Sequence, residues 1–154
     1  MLYLVTMTDY VRNKKVTLNF ELLDLFEAGA VLLGTEVKSI RQGQGKLDGS
    51  HVVVRGGEVY LVGASIPPFQ KANAPTDYDN ERVRKLLLSK KDILKLYNES
   101  EKKGLTIVPI RWYNTGSKLK LEIAVAKGKK KHDKRDTIKQ RDTKREIERT
   151  LKTQ

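Results

Sequence analysis

The chain has 154 residues, no cysteine and a formal charge of +12. The length suits one domain with appendages, and the missing cysteines exclude a disulfide framework, a thiolate nucleophile and a Cys-ligated zinc. The positive excess points to a polyanion as partner, either a nucleic acid or an anionic membrane surface.

The opening MLYLVTM is apolar for seven residues, with Asp9 close behind. That is too short for the apolar region of a signal peptide and far short of a membrane span. A soluble, cytoplasmic protein is expected, with translation starting at Met1 or Met7 and residues 1–17 forming an N-terminal extension.

Residues 18–126 read mostly as short strands. The run Ala30 to Leu33 in AGAVLLGTEV is long enough for a strand, and a short helix is expected around Glu36 to Gln42. The stretch RQGQGKLDG fits neither GxxxxGK[ST] nor GxGxxG and reads as a surface turn. In HVVVRGGEVYLVGA, Gly56-Gly57 separates two Val-rich runs and supplies the positive φ of a two-residue hairpin turn. IPPFQKANAPTDYDN holds three of the four prolines and is a loop.

Helical spacing recurs in ERVRKLLLSKKDILKLYNESEKKG, where Val83, Leu86, Leu87, Ile93, Leu94, Leu96 and Tyr97 lie three and four apart. Ser89 followed by Asp92 forms a capping box with Asp in place of Glu, which predicts two helices meeting at Ser89, the second closed by Gly104. A second hairpin follows in LTIVPIRWYNTGSKLKLEIAVA, with its turn at Asn114-Thr115-Gly116. There Leu119, Leu121, Ile123 and Val125 alternate inward, and Pro109 demands an edge or a bulge because it cannot donate to the ladder.

No catalytic constellation emerges. The histidines, His51 and His132, stand in no HxxxH or HxxE spacing, so neither a metal site nor a cofactor is expected. His51 reads as a strand-surface residue. Glu27 and Glu36 are nine residues apart, roughly 30 Å along a strand, and do not face one substrate on that reading.

From Lys127 onward, 12 Lys/Arg stand against 5 Asp/Glu, so this tail carries +7 of the net charge. Lys127, Lys131, Arg135 and Lys139 would stack on one helix face, and Arg141, Arg145 and Arg149 on another. Like charges at that spacing cost about 0.2–0.5 kcal/mol per pair, and Ile138, Ile147 and Leu151 are too few to compensate. The free tail is therefore expected to be disordered. A phosphate array reverses the sign, since the same rows become contacts and displaced counterions drive binding. Interspersed Asp133, Asp136 and Asp142 argue for a defined bound helix rather than a charge sponge. The lack of Tyr or Phe favours phosphate contact over base stacking, although His132 can stack on an exposed base. Membrane attachment lacks the apolar helix face it needs.

FEAGAVLLGTEVKSIRQGQ, RKLLLSKKDI and above all VAKGKKKHDKRDTIKQRD resemble the SmpB family, the tmRNA-binding proteins of bacterial trans-translation. The similarity runs from about Leu18 to Asp142. It implies a mainly β fold: a small antiparallel β-barrel of oligonucleotide-binding type over residues 18–126, with about three peripheral helices and a basic C-terminal tail over 127–154. It implies no enzyme activity, and a monomer that binds the tRNA-like domain of tmRNA. Elongation factor Tu is reached indirectly, through tmRNA. The tail is implied to enter the small subunit of a stalled ribosome and to become helical in the vacant mRNA channel beyond the decoding centre.

Carried over by position, the tmRNA-binding residues are Phe20, Glu27, Lys38, Arg41, Leu87, Ser89 and Lys120, with Lys127, Gly128, Lys129 and Lys130. Lys120 and Lys127–Lys130 are implied to share the RNA-facing end of the barrel. In the tail, His132, Asp133, Lys134 and Arg135 match the part near the decoding centre, and Lys139, Arg141 and Asp142 the downstream helix. Two positions depart from the family pattern: Phe20 stands where many relatives have Tyr, and Ser89 where Asn is common. A different RNA-binding module on the same fold is the alternative, and it would tolerate scrambling of DKRxxxKxRD at constant charge. An RNA-processing enzyme would need a metal or acid/base pair that the sequence does not display.

Overall fold

The computed structural model describes residues 7–70, 72 and 74–153; the first six residues of the expected extension lie outside these. Among the described residues, seven antiparallel strands carry the fold: β1 Met7–Arg12, β2 Phe20–Ala30, β3 His51–Arg55, β4 Glu58–Val62, β5 Arg84–Leu87, β6 Leu105–Thr115 and β7 Lys118–Gly128. The helices are α1 Val16–Asn19, α2 Gly34–Arg41, α3 Lys90–Ser100 and α4 Lys131–Thr153. Strand order is β1-β6-β3-β4-β5-β2-β7, and β7 pairs again with β6, so the hydrogen bonding returns on itself.

The β3–β4 hairpin turns on Gly56 and Gly57, with φ of 60° and 75°, as their sequence requires. The tip of the β6–β7 turn is shifted from the expected Asn114-Thr115-Gly116 but keeps Gly116. Thr115 pairs with Lys118, leaving Gly116-Ser117 as the tip, and φ is +61° at Gly116. A turn with positive φ at its first central residue favours glycine there, which fixes the register. The register of β6 against β7 shifts between Pro109 and Arg111, the bulge that the proline demanded.

Two expectations give way. The half-stretch before Ser89 is strand β5, not a helix: Arg84 and Leu86 are buried while Lys85 and Leu87 are exposed, a period of two. Its leucines match either period, and burial of Arg84 selects the strand. Ser89 does cap α3, its Oγ accepting from the Asp92 N–H at 3.2 Å, but the helix ends at Ser100, short of Gly104. Likewise Val31–Leu33 is not a strand. β2 ends at Ala30, and the following residues lead into α2.

The sheet also begins ahead of residue 18, because β1 pairs with β6 from Met7↔Thr115 to Arg12↔Arg111. At the far end it continues past Ala126, to Gly128 opposite Phe20. The core lies inside the closed pairing, where Leu61, Leu86, Ile107, Trp112, Leu121 and Ile123 are buried. A smaller cluster of Val16, Val108 and Ala126 backs the outer face under α1, with Phe20 and Leu22 against it.

Candidate nucleic-acid interface

The α2 helix is locked to the body by a buried charge cluster. Glu36 Oε2 accepts from Arg84 Nε at 2.9 Å and from its terminal nitrogen at 2.6 Å. Its Oε1 accepts from the Leu33 N–H at 2.8 Å and pairs with Arg82. Tyr78 donates to the same carboxylate at 3.1 Å. Arg84 also donates to the carbonyls of Ala64 at 2.7 Å and Asn80 at 2.9 Å. Both the Glu36 and the Arg84 side chains are fully buried. Burial raises the carboxyl pKa, but hydrogen bonds from Arg82, Leu33 and Arg84 outweigh it and hold Glu36 below the ordinary glutamate range. Sequence reasoning weighed Glu36 only as half of a carboxylate pair and did not single out Arg84; the sign available was an Arg on the inward period of a strand.

With α2 fixed, its outer side carries Lys38 and Arg41. Lys38 Nζ lies 5.9 Å from the centre of the Phe69 ring. Arg41 donates to the Ser117 carbonyl at the hairpin tip, 2.9 Å away. Glu27, exposed on β2, lies opposite Glu122 of β7, and Lys120 lies opposite Tyr113. Leu87, half exposed, pairs with Gly29, and a side chain at position 29 would meet the Leu87 Cβ and Cδ1. Of these, Arg41 touches the β6–β7 tip and Lys120 lies two residues beyond Lys118, while Glu27 lies opposite the middle of β7.

Phe20 and the AKGKK segment share the other end of β7. Phe20 pairs with Gly128 and Glu21 with Lys127. The Lys129 N–H donates to the Asn19 carbonyl at 2.9 Å, and its Nζ donates to the Thr17 carbonyl and to Thr137 Oγ1, both at 2.7 Å. Lys120 and Lys127 are thus seven residues apart on one strand, roughly 23 Å along an extended chain. β7 carries a basic residue toward each of its ends, with Lys120 opposite Tyr113 and Lys127 opposite Glu21.

The tail continues as α4. His132 is exposed beside Asp133 at 2.9 Å, and the Lys134 N–H closes on the Lys130 carbonyl at 3.1 Å. Arg141 reaches Thr17. Beyond that contact every residue from Asp142 to Lys152 is exposed, so this stretch displays its charge to solvent on all sides. Arg135 and Lys139 are exposed as well. In this structure the tail from Lys131 to Thr153 is helical. The contacts at Thr17 and Lys129 engage its first turns, and they are the part that the sequence did not foretell.

The family model described as SmpB protein matches residues 10–153. The SsrA-binding protein of Polaromonas sp. (strain JS666 / ATCC BAA-500) is 46% identical over 141 residues, covering 92% of this chain and 95% of that one. The SsrA-binding protein of Sulfurihydrogenibium sp. (strain YO3AOP1) is 49% identical over 140 residues, covering 91% of each. A solved structure described as "tmRNA-SmpB: a journey to the center of the bacterial ribosome" superposes with a TM-score of 0.66 at 34% identity. It covers 86% of this chain and 94% of that one.

Proposed function

This chain belongs to the SmpB protein family, and we propose that it is a non-enzymatic RNA-binding adaptor of trans-translation. Its body is a small barrel of oligonucleotide-binding type, a reading supported by the pairing of β7 with both β2 and β6. In this reading the body binds the tRNA-like domain of tmRNA, using Phe20, Glu27, Lys38, Arg41, Leu87, Ser89 and Lys120 together with Lys127–Lys130. The protein works as a cytoplasmic monomer and meets elongation factor Tu through tmRNA.

The tail acts on the ribosome. His132, Asp133, Lys134 and Arg135 sit near the decoding centre of the stalled small subunit. Lys139, Arg141 and Asp142 follow along the empty mRNA channel, where ribosomal phosphates convert the repelling basic rows into contacts.

The observation that carries this reading is the predominantly basic stretch from Lys127 on β7 through Arg141 on α4, with Asp133 and Asp136 interspersed, within a match to the family that extends to residue 153. Its test is tagging on ribosomes stalled at the 3′ end of a message, supplied with alanylated tmRNA and elongation factor Tu. Scrambling residues 133–142 at constant charge is expected to abolish tagging while tmRNA binding persists. Tagging at full rate by the scrambled protein would leave the tail as a generic polycation and sink the proposal.

A further inference from the structure

Tyr113 lies on the outer face of the sheet yet is almost wholly buried. It faces Lys120 across the β6–β7 pair, while Glu27 faces Glu122 across β7 and β2. Its hydroxyl nevertheless donates to Glu27 Oε2 at 2.5 Å, so the ring crosses the whole of β7. The two flanking strands stand about 9.6 Å apart, a gap that a tyrosine and a glutamate together can just bridge.

Arg111 fixes the ring. Its guanidinium lies 4.3 Å from the centre of the Tyr113 ring, and it pairs with Glu122 at 3.3 Å and with Asp9 of β1. Glu27 and Glu122 are carboxylates directly opposite one another, an arrangement that repels. Arg111 neutralises Glu122, while Glu27 receives a neutral phenol. Burial, then the hydrogen bond to Glu27, pushes the Tyr113 hydroxyl well above its ordinary pKa, so it stays a donor. Glu27 is exposed, and its Oε2 accepts from Tyr113.

A fixed anion among lysines that seek phosphate cannot itself meet a phosphate. It can accept from a base amino or imino group or from a ribose 2′-hydroxyl, the groups that tell one RNA surface from another. We propose that Tyr113, braced by Arg111, is a positioning residue for RNA discrimination: crossing β7, it aims the Glu27 carboxylate at a hydrogen-bond donor of the bound RNA. This rests on the reading of Glu27 as a tmRNA-binding residue.

The test uses full-length protein, titrated with tmRNA and with an unrelated structured RNA of similar length across a salt series. The variants are Tyr113→Phe, Glu27→Ala and the double substitution. Tyr113→Phe is expected to lower the preference for tmRNA roughly tenfold, the scale of one charge-assisted hydrogen bond. Glu27→Ala should do the same, and the double variant should be no worse than either single one. Affinity for the unrelated RNA and the salt slope should not move. Full preference retained by Tyr113→Phe while Glu27→Ala loses it would overturn the positioning role. Equal weakening toward both RNAs with a changed slope would make Tyr113 purely structural, and a wild type without preference would instead overturn the adaptor reading itself.

Discussion

Arg84 and Glu36 are the residues on which α2 depends. Neither side chain reaches water, and removing one partner of a buried pair strands the other charge. Arg84→Ala is therefore expected to destabilise the fold by about 3–5 kcal/mol in urea unfolding. A loss under about 1 kcal/mol would mean that Arg82 and Tyr78 satisfy Glu36 alone. The pH dependence follows from the sign of the shift. Glu36 is held below its ordinary pKa in the folded state, so its contribution is present above the unfolded glutamate range and is lost as pH falls through the folded value. Stability followed from pH 7 into acid should fall more steeply for the wild type than for Glu36→Gln. At this scale the sequence was least legible. Glu36 and Tyr113 were in plain view, but their partners come from 48 and 86 residues away, and no local pattern encodes such a meeting.

Elements were better read. The glycine pair at 56 and 57, the proline bulge and the Ser89 cap each rest on a local steric or hydrogen-bonding rule, and each is found in the structure. Misreadings fell where periods coincide. RKLLL suits a helix or a strand equally, and what decided it was the burial of Arg84 against Glu36 from another element. The β6–β7 turn moved because Gly116, rather than the Asn before it, takes the positive φ. For α4 the balance is electrostatic. A peptide of residues 127–154 should show weak helical circular dichroism in low salt, since like-charge rows outnumber favourable pairs and an isolated helix has little to set against them. Adding a single-stranded RNA should raise the helical signal, and high salt should reverse that gain. Strong helicity in the free peptide would show that the Asp residues already compensate the rows.

At the scale of the molecule, charge and fold divide the work. The closed strand pairing supplies a rigid outer surface bearing basic residues toward both ends of β7, and α4 extends a further basic arm from one end. The imbalance of charge between body and tail was legible from composition alone, because a sum over residues needs no structure. The separation of Lys120 from Lys127 was not, since the family pattern names residues without saying how far apart a strand sets them. The account's central claim is that the body discriminates tmRNA while the tail acts elsewhere. The measurement that tests it most directly is binding to tmRNA and to an unrelated structured RNA across a salt series, with the full chain and with a form ending at Lys130, which keeps β7 whole. Both forms should prefer tmRNA, with the shortened one showing a shallower salt slope because fewer phosphates are neutralised. Loss of the preference in the shortened form, or its absence in both, would contradict the account.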